Sequence, residues 1–322
     1  MNNVTMGEVI RDAIHMEMQR DSDIFVAGED VHFGGMYAEY LGFFEEFPNR
    51  IFPTPISETG ILGLGLGSAA MKLRPLLCMG KLDFMMVAFD EVINQAAKFR
   101  YMFGGKVEMP MVIQANYGMT LNGQAAQHSQ SLEAFFCHLP GIKVVAPSTH
   151  ADAKGLMISA IRDNNPILFL QPLRLMRAKG DAPDGEYIVP IGKANVRKEG
   201  TDLTIVSWGP VCCEAVSAAE TLEKEGINAE VVDLRTLSPI DFDTVLESVA
   251  KTSRLLIAHE AVQQCGLGAE IAALVAEEGM DYLDAPIKRL GGAFCPIPFS
   301  PVLETEYFIS ADKIAKAARE ML

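Results

Sequence analysis

An α/β architecture built on parallel sheets, a larger domain followed by a smaller one, is expected from two patterns in this 322-residue chain. The first is alternation: short β-rich runs bounded by turn residues take turns with longer helical patterns. The second is a break: residues 178–200, "AKGDAPDGEYIVPIGKANVRKEG", are rich in Gly, Pro and charge and read as a linker. Before it, strands are expected at 23–30, 74–80, 110–116, 142–148 and 165–171, with helices at 6–20, 59–72, 86–103 and 150–163. After it the alternation resumes, with strands at 202–208, 228–234 and 254–260 and helices at 211–225, 240–250, 267–279 and 311–321. The domains are accordingly placed at 1–185 and 186–322, with no internal repeat.

Composition narrows the function classes. Lys and Arg total 27 against 42 Asp and Glu, a formal charge of −15, which excludes the basic surface that nucleic-acid binding needs. Six cysteines form no C-x-x-C pair and read as reduced thiols of a cytoplasmic protein. The start, "MNNVTMGEVIRD", lacks a basic segment followed by an apolar run, so no signal peptide is expected. The longest quasi-apolar stretch, Gly60–Met71, is too short and too rich in glycine to span a bilayer.

The stretch "TPISETGILGLGLGSAAM" (54–71) raises the functional question. A glycine run after an apolar segment suggests a phosphate cradle, yet Glu58 sits at its mouth. The run lacks the Gly-Lys-Ser/Thr ending of a Walker loop, and it does not follow a strand as a dinucleotide fingerprint does. Close helix packing explains the glycines, with Ser57 as helix cap and Glu58 favoured by the helix dipole. His128 stands in polar company in "GQAAQHSQSLEAFF" (123–136), between a strand and a helix, where α/β proteins place chemistry. Ser129 and Ser131 lie beside it, but no G-x-S-x-G elbow supports a hydrolase. No His/Cys spacing suggests zinc. Of the other histidines only His259, at a strand end, stays open.

Several motifs then converge. "PISETG" (55–60), "FDEVINQAAKFRYMFGG" (89–105), "AAQHSQSLEA" (125–134), "PGIKVVAPS" (140–148), "DAKGL" (152–156) and "LRTLSPID" (234–241) occur in the order seen in β subunits of thiamine-diphosphate-dependent 2-oxo acid dehydrogenases. The chain resembles that family from "GEDV" (28–31) to "PIPFSPVLE" (296–304). Within it, "KFRYMFGG" (98–105) and "DAPIKR" (284–289) look most like acetoin dehydrogenase β subunits, with the pyruvate and branched-chain enzymes close behind. The resemblance implies a pyrimidine-binding domain followed by a transketolase C-terminal-like domain.

It also implies roles. Glu58 would hydrogen-bond a pyrimidine nitrogen of thiamine diphosphate, so its carboxylate faces a heterocycle rather than phosphate. Phe84 would lie on the aminopyrimidine. His128 would face the substrate carbonyl and steady its oxyanion. Glu29 and Asp90 match acids of a proton relay. The loop "SAIRDNNP" (159–166) matches a potassium site formed near Ala160, Ile161, Asp163 and Asn165. The family's Gly-Asp-Gly magnesium motif is missing, so Mg²⁺ and the diphosphate would belong to an α subunit in a two-α, two-β assembly. Acyl transfer would end on a lipoyl-bearing acyltransferase core, docked through the acidic C-terminal domain. Lys81, Gln171 and Met176 depart from residues common in the family. A non-catalytic scaffold subunit and an NAD-binding dehydrogenase are the rival readings.

Overall fold

The structure is a computed structural model that describes all 322 residues, and it contains two units, each with its own sheet. The first unit comprises 1–117 and 135–191, the second 118–134 and 192–322. The units interleave along the chain: the segment carrying His128 is grouped with the second unit.

Six parallel strands form the sheet of the first unit: β1 (Ile24–Gly28), β2 (Ile51–Pro53), β3 (Arg74–Lys81), β4 (Val112–Tyr117), β5 (Lys143–Val145) and β6 (Ile167–Pro172). Their spatial order is β5-β6-β4-β3-β1-β2. Every residue of β1, β4 and β6 is buried, as the unbroken apolar runs of a sheet covered on both faces require. The covering helices are α1 (Met6–Arg20), α2 (Glu58–Ala70), α3 (Leu82–Met85), α4 (Ala97–Met102) and α5 (His150–Arg162).

Helix α1 shows how local sequence sets this packing. The Thr5 hydroxyl accepts from the Glu8 amide, and the Glu8 carboxylate accepts from the Thr5 amide at 2.6 Å, a reciprocal cap. Met6, Val9, Ile10, Ala13 and Ile14 recur at helical spacing and are fully buried. Each large apolar side chain buried this way contributes about 1.5–3 kcal/mol. Glu17 is buried on the same face and is neutralised by Arg20 at 2.7 Å and Arg162 at 2.6 Å.

The chain leaves β1 for β2 on one side and returns to β3 on the other. Strand order thus reverses between β1 and β3, where an open parallel sheet forms a crevice at its carboxyl ends. Gly28 ends β1 with φ +151°, and a Cβ there would lie 2.3 Å from the Cys78 carbonyl oxygen. Glycine is what lets the two strands come this close.

The second sheet holds β7 (Asn195–Lys198), β8 (Leu203–Ser207), β9 (Ala229–Asp233), β10 (Leu255–Val262) and β11 (Lys288–Gly292), in the order β11-β10-β8-β9-β7. All pairs are parallel except β9 with β7. The helices of this unit are α6 (Gly209–Glu223), α7 (Phe242–Thr252), α8 (Leu267–Glu278), α9 (Pro301–Tyr307) and α10 (Ala311–Arg319). Alanine-rich faces of α6 (Ala215, Ala218, Ala219) and α10 (Ala315, Ala317, Ala318) enter one core cluster.

Several expectations needed revision. β7 lies inside the stretch read as a linker. It is a half-buried antiparallel edge strand whose Arg197 and Lys198 pair with Asp233 at 3.6 Å and Glu223 at 3.0 Å, so its polarity masks it. β2, β11 and α9 were not anticipated. The helix expected over 86–103 is broken into a 3₁₀ turn (Met86–Ala88), a π-helical stretch (Glu91–Ala96) and α4. All six cysteines are free. No helix is long and apolar enough to cross a membrane.

Candidate active site

Three adjacent strands deliver the first group of candidate residues to one edge. Glu29 follows β1, Glu58 opens α2 shortly after β2, Lys81 ends β3 and Phe84 lies on α3 just beyond. This edge is the crevice where strand order reverses. The Glu29 carboxyl is held above its ordinary value, first by burial, then by the negative charges of Glu58 and Asp30. Phe84 leaves 40% of its surface exposed at this edge. Lys81 is buried, and burial pulls its ammonium below the usual lysine range against the opposing pull of Asp83.

Ser57 occupies the cap position of α2 but makes no capping bond. Its hydroxyl instead sits 2.8 Å from where a Cβ on Gly60 would be, so the expected cap is replaced by a steric reason for that glycine. Gly65 faces Leu77 of β3, 2.3 Å from its would-be Cβ, whereas Gly63 and Gly67 meet nothing within 4 Å. Close packing inside this chain thus explains Gly65 and not the whole run. The Thr54 hydroxyl is buried without a partner on the loop leading to Glu58. Two carboxylates, a part-exposed aromatic side chain and an unspent hydroxyl fit a nitrogen heterocycle with exocyclic donors. They do not fit a phosphate, which both acids would repel.

Behind this edge, Glu39 is fully buried; its Oε2 accepts from the Tyr37 amide at 2.6 Å, and burial pushes its carboxyl up to about 7. Neighbouring Tyr40 donates to Gln114 Oε1 at 2.5 Å.

Asp90 lies on the surface and accepts from Asn94 one turn on at 2.5 Å. It is not among the charges that raise Glu29. In the 159–166 loop, the Arg74 guanidinium donates to the carbonyls of Ile161 at 3.0 Å and Asp163 at 3.2 Å. Arg100 donates to Asn165 Oδ1 at 2.7 Å, and Lys143 pairs with Asp163 at 2.5 Å. Positive charge of the chain itself therefore already reaches this loop.

His128 belongs to the second unit, and its side chain is exposed. The segment before it is contorted: φ is positive at Gly118 (84°), Leu121 (62°), Gly123 (73°) and Ala125 (62°). For Leu121 and Ala125 this costs about 1 kcal/mol each. Two buried acids meet the segment, and a third, Glu133, follows His128. Glu260 Oε1 accepts from the Met119 amide at 2.5 Å, and Glu304 Oε2 from the Gly123 amide at 2.8 Å. Glu133 Oε1 accepts from the Trp208 indole at 3.2 Å. Neither neighbouring serine is a presented nucleophile, since Ser129 is fully buried and the Ser131 hydroxyl is enclosed. His259 is a core residue: it is fully buried, stacks on Trp208 at 5.2 Å, and burial lowers it to about 4. A cavity of about 480 Å³ lies beside this segment, lined by Gln127, Gln130, Ser131, Glu260, Phe294 and Tyr307. The roles of Glu133, Glu260 and Glu304 were not foreseen, because nothing in their spacing marks an acid that will bond a distant indole or amide N–H.

The class that this fold and edge define is the transketolase type. Residues 2–179 match the transketolase pyrimidine-binding domain and residues 192–314 the transketolase C-terminal domain. The chain is 45% identical to acetoin:2,6-dichlorophenolindophenol oxidoreductase subunit beta of Cupriavidus necator, over 97% of this chain and 96% of that one. It is 42% identical to 2-oxoisovalerate dehydrogenase subunit beta of Bacillus subtilis, over 100% and 99% of the two chains. It is also 42% identical to pyruvate dehydrogenase E1 component subunit beta of Rickettsia felis, over 99% and 98%. A solved split-gene transketolase, described as an inactive β4 tetramer, superposes with a TM-score of 0.82 at 24% identity, over 99% and 98% of the chains. The chain belongs to the transketolase-like β subunits of the thiamine-diphosphate-dependent acetoin and 2-oxo acid dehydrogenases.

Proposed function

We propose that this chain is the β subunit of an acetoin-cleaving dehydrogenase component that passes an acetyl group to a lipoyl carrier. The observation that carries the reading is the strand-end edge that holds Glu29, Glu58 and Phe84: two acids close enough to feel each other's charge, on the same edge as a part-exposed aromatic, suit the pyrimidine end of thiamine diphosphate. When bound, that cofactor supplies a nucleophilic ring carbon and an electron sink for breaking the bond beside a carbonyl. Glu58 holds the proton at a pyrimidine ring nitrogen, and Glu29, its carboxyl raised by burial and by the charge of Glu58, stands beside it. Phe84 covers the ring and keeps water from its face. His128 donates a hydrogen bond to the substrate oxygen as negative charge develops there.

The chain lacks a Gly-Asp-Gly motif, so the α subunit would hold Mg²⁺ and the diphosphate in a two-α, two-β assembly. A related β-type chain described as an inactive tetramer supports the view that half of such an enzyme does not work alone. Potassium belongs to the proposal through carbonyls of Ala160 and Ile161 with Asp163 and Asn165; a carbonyl engaged by Arg74 retains a second lone pair. The proton relay through Asp90, domain limits at 1–185 and 186–322, docking on a lipoyl-bearing core and a cytoplasmic location complete it.

The second reading keeps the chemistry and changes the substrate. Lys81, a cation buried at the same edge, favours an anionic 2-oxo acid. The test is dye reduction by the chain assembled with its α subunit, thiamine diphosphate and Mg²⁺, with acetoin, pyruvate and 2-oxoisovalerate offered separately. Acetoin is expected to turn over fastest. Faster turnover of an oxo acid overturns the substrate, and a stable assembly inert to all three favours the scaffold reading.

A further inference from the structure

We propose that Glu304 and Glu260 are positioning residues for His128: their buried carboxylates clamp the backbone of the loop that presents the imidazole. The inference rests on the reading of His128 given above and identifies the parts of the second unit that aim it.

The loop is closed at its base by the Gly118 amide, which donates to the Gln130 carbonyl at 3.2 Å. Between those points, four residues within eight adopt left-handed backbone, at 118, 121, 123 and 125, and His128 comes three residues after the last of them. Such a conformation persists only where the surroundings over-determine it. Two acids do so from separate elements. Glu260, 5% exposed on β10, takes the Met119 amide at 2.5 Å, and Glu304, 0% exposed on α9, takes the Gly123 amide at 2.8 Å. Bonds from an amide to a carboxylate are shorter and stronger than those to a neutral acceptor.

The glycines fit the same purpose. A Cβ on Gly118 would lie 2.5 Å from Glu260 Oε2, and one on Gly123 would lie 2.8 Å from the Phe299 carbonyl oxygen. Bare backbone is therefore what lets the loop lie against Glu260 at Gly118 and against the Phe299 carbonyl at Gly123. The other oxygen of Glu304, Oε1, has no partner. A carboxylate this buried is costly unless something compensates it, and the loop amide is the compensation the structure provides. The clamps grip nine and five residues before His128, so losing one releases the approach to the ring while the sheet stays intact.

The test uses the enzyme assembled with its α subunit. Glu304→Ala is expected to lower kcat about tenfold or more, with KM and thiamine diphosphate affinity within about twofold, since small misplacement of a reacting group is costly. Glu304→Gln retains an oxygen acceptor and should recover most of the loss. In the double variant Glu304→Ala/His128→Ala, no further loss beyond His128→Ala is expected. Hydrogen exchange of the amides from Gly123 to His128 should quicken in Glu304→Ala and not in Glu304→Gln. Losses that multiply in the double variant, wild-type kcat in Glu304→Ala, or unchanged exchange each overturn the clamp. Wild-type turnover of His128→Ala alone overturns the functional reading and the positioning role with it; the exchange arm still judges the anchoring. Should Glu304→Ala fail to fold, Glu304→Asp, which pulls the acceptor back by one methylene, is judged by the same outcomes.

Discussion

The two units present their chemistry by opposite means. In the first, Glu29 and Glu58 stand where regular elements end: a strand, then the first turn of a helix whose dipole favours an acid. In the second, His128 stands on a loop that regular geometry does not support and that buried acids must hold. Groups that a sheet edge places for free are readable in strand and helix patterns. A group placed by strained backbone depends on partners far away in the chain, and pattern reading does not see them.

Glu58→Ala is the strongest way to sharpen that contrast. Turnover of the assembled enzyme should fall about 10³-fold, within the range spanned by lost proton-transfer groups, while the melting temperature barely moves. A large loss of stability would mean that the edge needs its acid for structure as well.

The pH response of the two units comes next. The Glu39 carboxyl sits near 7 in the folded first unit against an ordinary 4.5, so the folded state keeps a proton that the unfolded chain releases. Stability of that unit should therefore fall as pH rises from about 4.5 to 7 and then level off. His259 sits near 4 in the second unit against an ordinary 6.5, so its contribution should rise with pH between those values. Glu39→Gln should remove the first slope and gain about 3 kcal/mol over the parent by neutral pH. Denaturant melts from pH 4.5 to 8 check this, and parallel curves for the two proteins would break the comparison.

Gly123→Ala tests the second unit with a smaller effect. With φ at 73° and the Phe299 oxygen 2.8 Å from the new Cβ, stability should drop by about 1–3 kcal/mol and turnover should fall with it. Unchanged turnover despite that drop would separate loop shape from the placement of His128.

Much of the fold was legible. Eight strands and the main helices were expected close to where they lie, because buried parallel strands read as unbroken apolar runs. What escaped was polar or short: β7, whose Arg197 and Lys198 look like linker; β2, three residues long; and α9. The site divided the same way. Glu29, Glu58, Phe84 and His128 came from motif order, and Glu58 and His128 also stood out by context. The break in the 86–103 helix left no trace in its periodicity. The idle Ser57 hydroxyl could not be foreseen either, since a cap position is visible in sequence and the bond it makes is not.

The glycines of α2 carry a consequence for anyone who engineers this chain. Gly63 and Gly67 meet nothing within 4 Å, so nothing inside the chain requires them to lack a side chain. Each lowers helix propensity by about 1 kcal/mol relative to alanine. A directed-evolution screen scored on solubility or heat resistance of the lone subunit would select alanine at both positions early. It would keep the variants that best improve the isolated polypeptide, and would be blind to any role those two bare positions have in the working enzyme.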